Sequence, residues 1–343
     1  MDVFCLNDKN VVSMETSIGN SDFSNHLDTP LLSVVLATPG RFDTIRNTVH
    51  CLLAQSIKER IELIIVTPSR ERFEVDENDV SDFFGYKIVG LPGMNSVGAA
   101  NAMGVRAATA PVVALCEDHS FPEPGWAEAL IKAHTGDYAA VGPVIKNANP
   151  KTLVSWADLL VAYAPWIDST PSGESDHLPG HNSSYKKEVL LSYGSELEKM
   201  MASESVLHWD LRQKGYRLYI EANAKTAHTN FSLFSSWIKS KFHSGRVFGS
   251  ARVHAWPSWK RLVFTVASPL IPIVRLWKII FLMPGSRQTV GVFLKVIPVM
   301  IAGLSFSALG EMTGYAFGPG NSIDILSYYE FHRTRHQCEA DHE

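Results

Sequence analysis

The sequence has no Asp or Glu between Glu221 and Glu311, and this acid-free segment limits what the chain can fold into. The segment holds eleven of the 31 Lys and Arg side chains, so the rest of the chain sets 20 basic side chains against all 35 acidic ones. The formal net charge of −4 is therefore an average over a basic part and an acidic part. A division of this kind predicts two regions that face different surroundings.

Two long apolar stretches lie within the acid-free segment. Residues 262–283 are interrupted by Pro269, Pro272, Arg275 and Lys278, which makes a poor bilayer-spanning helix and a reasonable interfacial one. Residues 289–309 carry only the charge of Lys295 and are long enough to cross a hydrocarbon core of about 30 Å. Packing of these helices as a subdomain on the rest of the chain is the alternative that the sequence leaves open.

Residues 231–252 mix five aromatic rings with four cations. This mixture is typical of a helix on an anionic membrane surface, with rings at headgroup depth and cations near phosphates. Nucleic-acid binding uses similar residues, but the strongly apolar sequence that follows argues against a nucleic-acid partner. The segment therefore predicts membrane lipid as a partner.

Composition and the N-terminus point to a cytosolic globule. Hydrophobic residues make up 45% of the chain, which is enough to bury a core. The first 30 residues are polar and lack the apolar stretch of a secretory signal, so we expect a loose tail in the cytosol. The four cysteines lie far apart without a CxxC pair, which fits a reducing compartment and argues against both a disulfide framework and a cysteine-built zinc site.

From Leu31 onward, short apolar runs alternate with amphipathic stretches. The pattern predicts strands at 31–37, 61–66, 86–90 and 111–116, with helices over 42–55 and 97–108. Beyond Trp126 it predicts a helix, an extended run at 138–145, a loop over 165–180 at a cleft or on the surface, a helix over 203–214, and strands at 216–221 and 225–228. The alternation predicts an α/β fold with a mainly parallel sheet that gathers ligands at the carboxyl ends of its strands.

Three potential ligands follow the strand predicted at 111–116. Glu117, Asp118 and His119 would emerge into the crevice at the edge of a parallel sheet. Oxygen ligands suit Mg²⁺ or Mn²⁺, and the imidazole of His119 favours Mn²⁺. An exposed polar loop would use the same residue types.

Four segments carry motifs that occur together in one order: 33–56 (SVVLATPGRFDTIRNTVHCLLAQS), 95–126 (NSVGAANAMGVRAATAPVVALCEDHSFPEPGW), 179–190 (PGHNSSYKKEVL) and 203–228 (SESVLHWDLRQKGYRLYIEANAKTAH). In this order they resemble the family-2 glycosyltransferases of the GT-A fold. The resemblance covers about 200 residues and implies a GT-A type, Rossmann-like sheet that binds a nucleotide sugar. Single motifs of this kind are weak, and their shared register gives the resemblance its weight.

The resemblance implies a divalent cation, Mn²⁺ or Mg²⁺, held by Glu117 and His119, which occupy the outer positions of the family's Asp-x-Asp motif. His228 would complete the metal shell, or it would be a structural hydrogen-bonding residue. Donor contacts are predicted for six side chains, some of which would also serve packing or helix initiation: Thr38, Pro39, Arg41, Asn101, Glu117 and Asp118.

The acceptor side is predicted from the third and fourth segments. Glu204 stands where the family has its catalytic carboxylate, which takes a proton from the acceptor hydroxyl. Alternatively Glu204 begins a helix for which Ser203 is the N-cap. His181 and Asn182 are predicted to contact the acceptor sugar, although a turn after Gly180 would use the same residues. A single base without a covalent nucleophile implies inversion.

The sequence departs from the family pattern at two points. Thr67, Pro68 and Ser69 follow the second strand where the family has an acidic pair, so the donor nucleotide is left unassigned. Asp210 replaces the usual Arg six residues after the catalytic carboxylate. These departures motivate an alternative function of a different class. In this alternative the protein is a non-catalytic membrane-bound scaffold that retains the GT-A fold.

The sequence thus predicts a tail (1–30), a GT-A catalytic domain (31–229), a basic and apolar membrane-associated helical region (230–320) and a polar C-terminal tail (321–343). The predicted activity is that of a hexosyltransferase-like enzyme of polysaccharide biosynthesis. Its partners would be a nucleotide-sugar donor, a glycan or polyprenyl-linked acceptor and membrane lipid. The predicted location is the cytoplasmic face of the cell membrane, peripheral or with one or two embedded helices.

Overall fold

The structure is a computed structural model that describes residues 29–253, 256–282 and 287–338, without the side chains of 282–290. All but two residues of the tail predicted over 1–30 lie outside this part of the chain. Within it, the fold is a mixed, mostly parallel sheet flanked by helices, followed by a set of apolar helices. The α/β prediction is confirmed.

Nine strands form one sheet in the order β3-β2-β1-β4-β8-β6-β9-β5, with β7 beside β9. Strands β1 to β4 run parallel, β6 is parallel to β9, and β8 lies antiparallel between β4 and β6. The strands are β1 Leu32–Ala37, β2 Ile61–Thr67, β3 Gly85–Gly90, β4 Val112–Cys116, β5 Ser120–Pro122, β6 Ala140–Asn147, β7 Gly173–Glu174, β8 Ser184–Lys186 and β9 Leu218–His228.

Apolar runs become strands here because the sheet is covered on both faces. Every residue of β1, β2 and β4 is buried, as parallel strands between two helical layers require. One difference from the prediction is that the strands expected at 216–221 and 225–228 form the single strand β9. The pairing register shifts between Pro143 and Val144 of β6, so a bulge in β9 absorbs the three residues between the two runs, Ala222, Asn223 and Ala224.

The helices of the α/β part are short. They are α1 Arg46–Leu53, α2 Val97–Ala107, α3 Trp126–His134, α4 Leu153–Tyr163, α5 Lys187–Leu191, α6 Leu197–Met201 and α7 Glu204–Gln213. The helix predicted over 42–55 begins later than expected. Residues 42–44 form a separate 3₁₀ turn, in which the amide of Ile45 donates to the Phe42 carbonyl at 3.0 Å.

Five helices follow the sheet: α8 Phe234–Arg252, α9 Ser258–Ala267, α10 Ile271–Leu282, α11 Arg287–Phe317 and α12 Ser322–Phe331. The stretches Ser258–Phe281 and Gly291–Phe317 are long and apolar enough to cross a membrane. The first is divided by a 3₁₀ turn at Ser268–Leu270 and exposes large apolar side chains such as Ile273 and Trp277. The second is partly covered by α8 and α4. The apolar helices thus combine packing on the α/β part, which the sequence left open as an alternative, with a surface suited to lipid.

Helices α8 and α11 pack with their backbones in contact through glycines. A Cβ on Gly245 would overlap the carbonyl oxygen of Ser307, and a Cβ on Gly310 would overlap that of Phe242. A Cβ on Gly249 would lie 2.6 Å from the backbone carbonyl oxygen of Glu311. Small residues are what allow two helices to approach this closely.

We expect Gly310→Ala to lower the stability of the chain by roughly 1–3 kcal/mol, because the new methyl group has no room against the α8 backbone. Gly291→Ala on the same helix is the matched control. Its Cβ meets nothing within 4 Å, so only the gain in helix propensity of about 1 kcal/mol remains. Thermal unfolding of the detergent-solubilised full chain measures both, and equal effects would contradict the packing described for α8 and α11.

Candidate active site

Glu117, His119 and His228 converge where β4, β5 and β9 meet. Glu117 follows β4, His119 precedes β5, and His228 is the last residue of β9, paired with Ser120 in the register of β5. One ligand atom from each of the three side chains lies within 4.8 Å of the others. The sequence predicted this set, and the structure brings it together.

The spacing of the three side chains leaves room for a cation. The Nε2 atom of His119 lies 3.7 Å from Oε1 of Glu117, and the Nε2 atom of His228 lies 3.3 Å from Oε2 of the same carboxylate. Nε2 of His119 is buried and has no hydrogen-bond partner among the described residues. A buried polar atom of this kind is costly unless something binds it, so this donor set fits a divalent metal ion.

Both imidazoles are oriented by a partner on their other nitrogen. Nδ1 of His119 lies 2.7 Å from Oδ1 of Asp118, and Nδ1 of His228 lies 3.0 Å from Oδ1 of Asn230. When Nδ1 carries the proton, Nε2 keeps its lone pair for a cation, as in most protein metal sites. Asp118, which was predicted to contact the nucleotide-sugar donor, is therefore placed to orient the imidazole of His119 as a metal ligand.

The protonation of the cluster suits a cation. Burial opposes ionisation of Glu117, but the imidazoles of His119 and His228 hold the pKa of Glu117 well below its ordinary value. Burial lowers the pKa of His228, which keeps its ring neutral. Asn182 donates to Oε2 of Glu117 at 2.8 Å. Asn182, which was predicted to contact the acceptor sugar, is buried and positions the carboxylate of Glu117.

Glu204 faces the same cavity from the first turn of α7. The cavity measures about 250 Å³ and is also lined by Glu117, His181 and His228. The carboxylate of Glu204 forms an ion pair with Nδ1 of His181. Ser203 occupies the N-cap position of α7, as the alternative for Glu204 predicts, and its side chain makes no capping hydrogen bond.

The predicted donor residues are divided between two places. Asn101 is buried and lines a narrow cavity with Glu117, Asp118 and His119. Thr38 is also buried, and its hydroxyl is engaged by Thr44 and by the Gly40 amide.

The rest of the first loop is more accessible. Pro39 is half-buried, and Arg41 is exposed and lines a different cavity with Arg72 and Asp76. Donor binding by Thr38, Pro39 and Arg41 stays a prediction.

The C-terminal segment contributes two residues that the sequence analysis missed. Residues 322–336, predicted as part of a polar tail, fold back as α12 and a 3₁₀ turn. Oε2 of Glu330 lies 4.0 Å from Nε2 of His119, and the buried Arg333 pairs with Glu330 and approaches Asp158 at 3.7 Å. The apolar spacing of SIDILSYYEF indicates a helix, but nothing in it indicates where that helix packs.

Comparison with known proteins gives one family match and a few relatives. Residues 33–194 match the family model described as "Glycosyl transferase family 2". A glucosyl-dolichyl phosphate glucuronosyltransferase of Haloferax volcanii is 24% identical over 178 residues, which cover 48% of this chain and 55% of that protein. The chain thus spans about half the length of this curated relative.

Two solved structures are reported as similar to this chain. The mannosyltransferase PcManGT of Pyrobaculum calidifontis, in complex with GDP-Man and Mn²⁺, has a TM-score of 0.51 and 15% identity, covering 82% of this chain and 87% of its own. GalNAc-T7 with UDP, GalNAc and Mn²⁺ has a TM-score of 0.43 and 13% identity, covering 58% and 43%. The match to the mannosyltransferase confirms the predicted GT-A fold.

The ion pair of His181 with Glu204 predicts a pH dependence of stability. Burial opposes the charge on His181, but Glu204 and more distant carboxylates raise its pKa to about 10, from an ordinary value of 6.5. A raised pKa in the folded state means that the pair stabilises the fold fully below pH 6.5 and loses this effect as the pH rises through about 10. We expect His181→Asn to lower the unfolding temperature more below pH 6.5 than above pH 10.

The control for this measurement is the same substitution in a Glu204→Gln background. There the main cause of the raised pKa is gone, so the pH dependence should become weaker, and the more distant Glu117 and Glu330 account for what remains. An undiminished pH dependence would assign the effect to another group.

Mn²⁺ is expected to raise the unfolding temperature of the chain, because a ligand that binds the native state stabilises it. His119→Ala should weaken Mn²⁺ binding at least about tenfold, while the exposed Glu188→Gln on α5 should leave it unchanged. Calorimetric titration with Mn²⁺ alone measures the affinity. An unchanged affinity in His119→Ala would place the bound cation elsewhere.

Proposed function

Because residues 33–194 form a family-2 glycosyltransferase domain on a GT-A fold, we propose that the protein moves a sugar, with inversion, from a nucleotide-sugar donor to a lipid-linked or polysaccharide acceptor. One observation carries the proposal. A carboxylate suited to act as base, Glu204, lines the same cavity as Glu117 and His228. With His119, these two residues form the cation cluster, the set of side chains that would hold a divalent cation. Base and cluster are the two elements that sugar transfer from a diphosphate requires.

The residues that would hold a divalent cation are Glu117, His119 and His228. Their fit rests on the orphaned Nε2 of His119 and on the neutral ring of His228. A bound cation would neutralise the negative charge that develops on the departing diphosphate. Two nitrogen ligands among three favour Mn²⁺ over Mg²⁺, which prefers oxygen.

The chain's own residues divide the proton chemistry between them. The raised pKa of His181 keeps its proton in place at neutral pH, so His181 is unsuited to accept the proton of the acceptor hydroxyl. Glu204 is then the base, and the ion pair with His181 holds its carboxylate in position. Gly180 leaves space beside the carboxylate, since a Cβ there would lie 3.0 Å from Oε2 of Glu204.

The scaffold alternative draws on the departures from the family pattern, and one of these has a structural explanation. Asp210 accepts a hydrogen bond from the Tyr193 hydroxyl at 2.6 Å and pairs with Lys214 at 2.7 Å. Its carboxylate thus has partners of its own on the outer side of α7. The gathering of Glu204 with the cation cluster favours the enzyme over a scaffold.

The acceptor and the location are inferred from the helical region. Apolar side chains on α9 and α10 are exposed, and the acid-free segment supplies cations that suit an anionic leaflet. The Haloferax volcanii relative is named for a dolichyl-phosphate substrate. These observations support a lipid-linked acceptor and a place at the cytoplasmic face of the membrane.

Glu204→Gln should reduce sugar transfer by about 10²–10⁴-fold, because the glutamine cannot take the acceptor proton. Donor binding should stay within about twofold of the wild type, since the cation cluster is untouched. A panel of sugar nucleotides with Mn²⁺, tested first by calorimetry and then by turnover, provides both readouts. The matched control is Glu198→Gln, an exposed carboxylate on α6.

Unchanged turnover in Glu204→Gln would remove Glu204 from the role of base. Donor binding by the wild type without transfer or hydrolysis would support the scaffold instead.

A further inference from the structure

An apolar groove lies between α8, α9, α10 and α11, beside the catalytic cavity. It measures about 400 Å³, and its walls include Phe248, Phe264, Ile271 and Val274. We call it the helical groove. Its apolar surface suits a hydrocarbon chain, and the helices α9 and α10 that form its outer wall expose further apolar side chains.

One end of the helical groove carries positive charge. Arg252, Arg275 and Lys278 line it. Arg275 is neutralised by Glu311, whose Oε1 lies 2.6 Å from Nη2 of the arginine. Among the residues that the structure describes, no carboxylate lies within 4.0 Å of the charged groups of Arg252 or Lys278. The groove therefore has a net cationic end that an anion can neutralise.

Arg252 is held in a fixed position by aromatic rings. Its guanidinium lies 5.2–6.0 Å from the centroids of five rings, among them Trp209, Phe248 and Trp256. Nη1 of Arg252 donates to the Tyr315 hydroxyl at 2.8 Å. A guanidinium fixed in this way is preorganised for the oxygens of a phosphate.

The cationic end lies beside the catalytic cavity. Phe248 lines both the helical groove and the cavity that contains Glu204. Its ring lies 5.8 Å from that of Trp209, on the helix α7 that begins with Glu204. A group attached to a phosphate at Arg252 therefore lies on the side of the groove that borders the cavity of the proposed base.

We propose that the helical groove binds the acceptor lipid, with its phosphate at Arg252 and Lys278 and its hydrocarbon chain along the apolar wall. This inference rests on the proposed function and specifies the acceptor as a hydroxyl-bearing glycan carried on a long-chain lipid phosphate. Charge complementarity selects the occupant, because a neutral lipid leaves the cations unsatisfied and a soluble glycan leaves the apolar wall in water. The exposed apolar side chains of α9 and α10 give the lipid a lateral route from the bilayer.

Binding of farnesyl phosphate and of farnesol to the full chain in detergent tests the phosphate contact, with tryptophan fluorescence as the readout. Arg252→Met keeps an apolar side chain among the rings and removes the charge. We expect it to weaken farnesyl phosphate binding about tenfold or more and to leave farnesol binding unchanged. The matched control is Lys239→Met, an exposed cation on the same helix, which should behave as the wild type.

Ala267→Trp tests the chain contact without changing the charge. Ala267 lines the groove, so a large side chain there should weaken binding of farnesyl phosphate and spare that of isopentenyl phosphate, which lacks a long chain. Equal affinities for farnesyl phosphate in Arg252→Met, Ala267→Trp and the wild type would overturn the proposal, provided that circular dichroism shows folded variants.

These binding measurements do not depend on catalysis, so the two proposals can fail separately. Lipid phosphate binding through Arg252 without any sugar transfer would support the groove and contradict the glycosyltransferase activity. Transfer to a soluble acceptor that is equally fast in Arg252→Met, together with no binding of farnesyl phosphate, would overturn the groove alone.

Discussion

The largely buried carboxylate of Glu117 imposes the strongest local constraint on the structure. A carboxylate removed from water without partners costs several kcal/mol, so every side of it must be compensated. Asn182 and Ser120 donate to it at 2.8 and 3.1 Å, and His228 lies 3.3 Å away. These partners come from the turn before β8, the start of β5 and the end of β9. The antiparallel part of the sheet thus meets the parallel part at the point where the site is built.

A second buried carboxylate, Asp158 on α4, joins the acidic and the basic parts of the chain. It accepts hydrogen bonds from Nε1 of Trp237 and the amide of Phe231, and it pairs with Lys241 at 2.7 Å. Burial opposes its charge, but Lys241 and Arg333 lower the pKa of Asp158 to about 2. The charge division seen in the sequence therefore does not separate two independent bodies. The acid-free segment is bound to the α/β domain through an acid that the domain supplies.

The sequence predicts those parts of the fold and of the site that local patterns and motifs determine. Strands β1, β2 and β4 were predictable because parallel strands covered on both faces read as continuous apolar runs. The cluster of Glu117, His119 and His228 followed from the motif order. Glu330 and Arg333 could not be predicted, because their position depends on contacts with residues far away in the chain, and such contacts leave no periodicity in the sequence. The continuity of β9 was missed for a related reason, since a bulge places Ala222, Asn223 and Ala224 inside the strand without partners in the pairing register.

Helix α8 connects the apolar helices to the cavity that contains Glu204 through two adjacent faces. Gly245 and Gly249 are four residues apart and lie against the backbone of α11. Ser244, Phe248 and Arg252 are also spaced four residues apart, so they form a second stripe on α8 beside the stripe of the two glycines. Ser244 and Phe248 line the cavity that contains Glu204, and Phe248 and Arg252 line the helical groove. Because the glycines fix how closely α8 approaches α11, they also fix where this stripe stands, so the contact between α8 and α11 sets the distance between the groove and the proposed base.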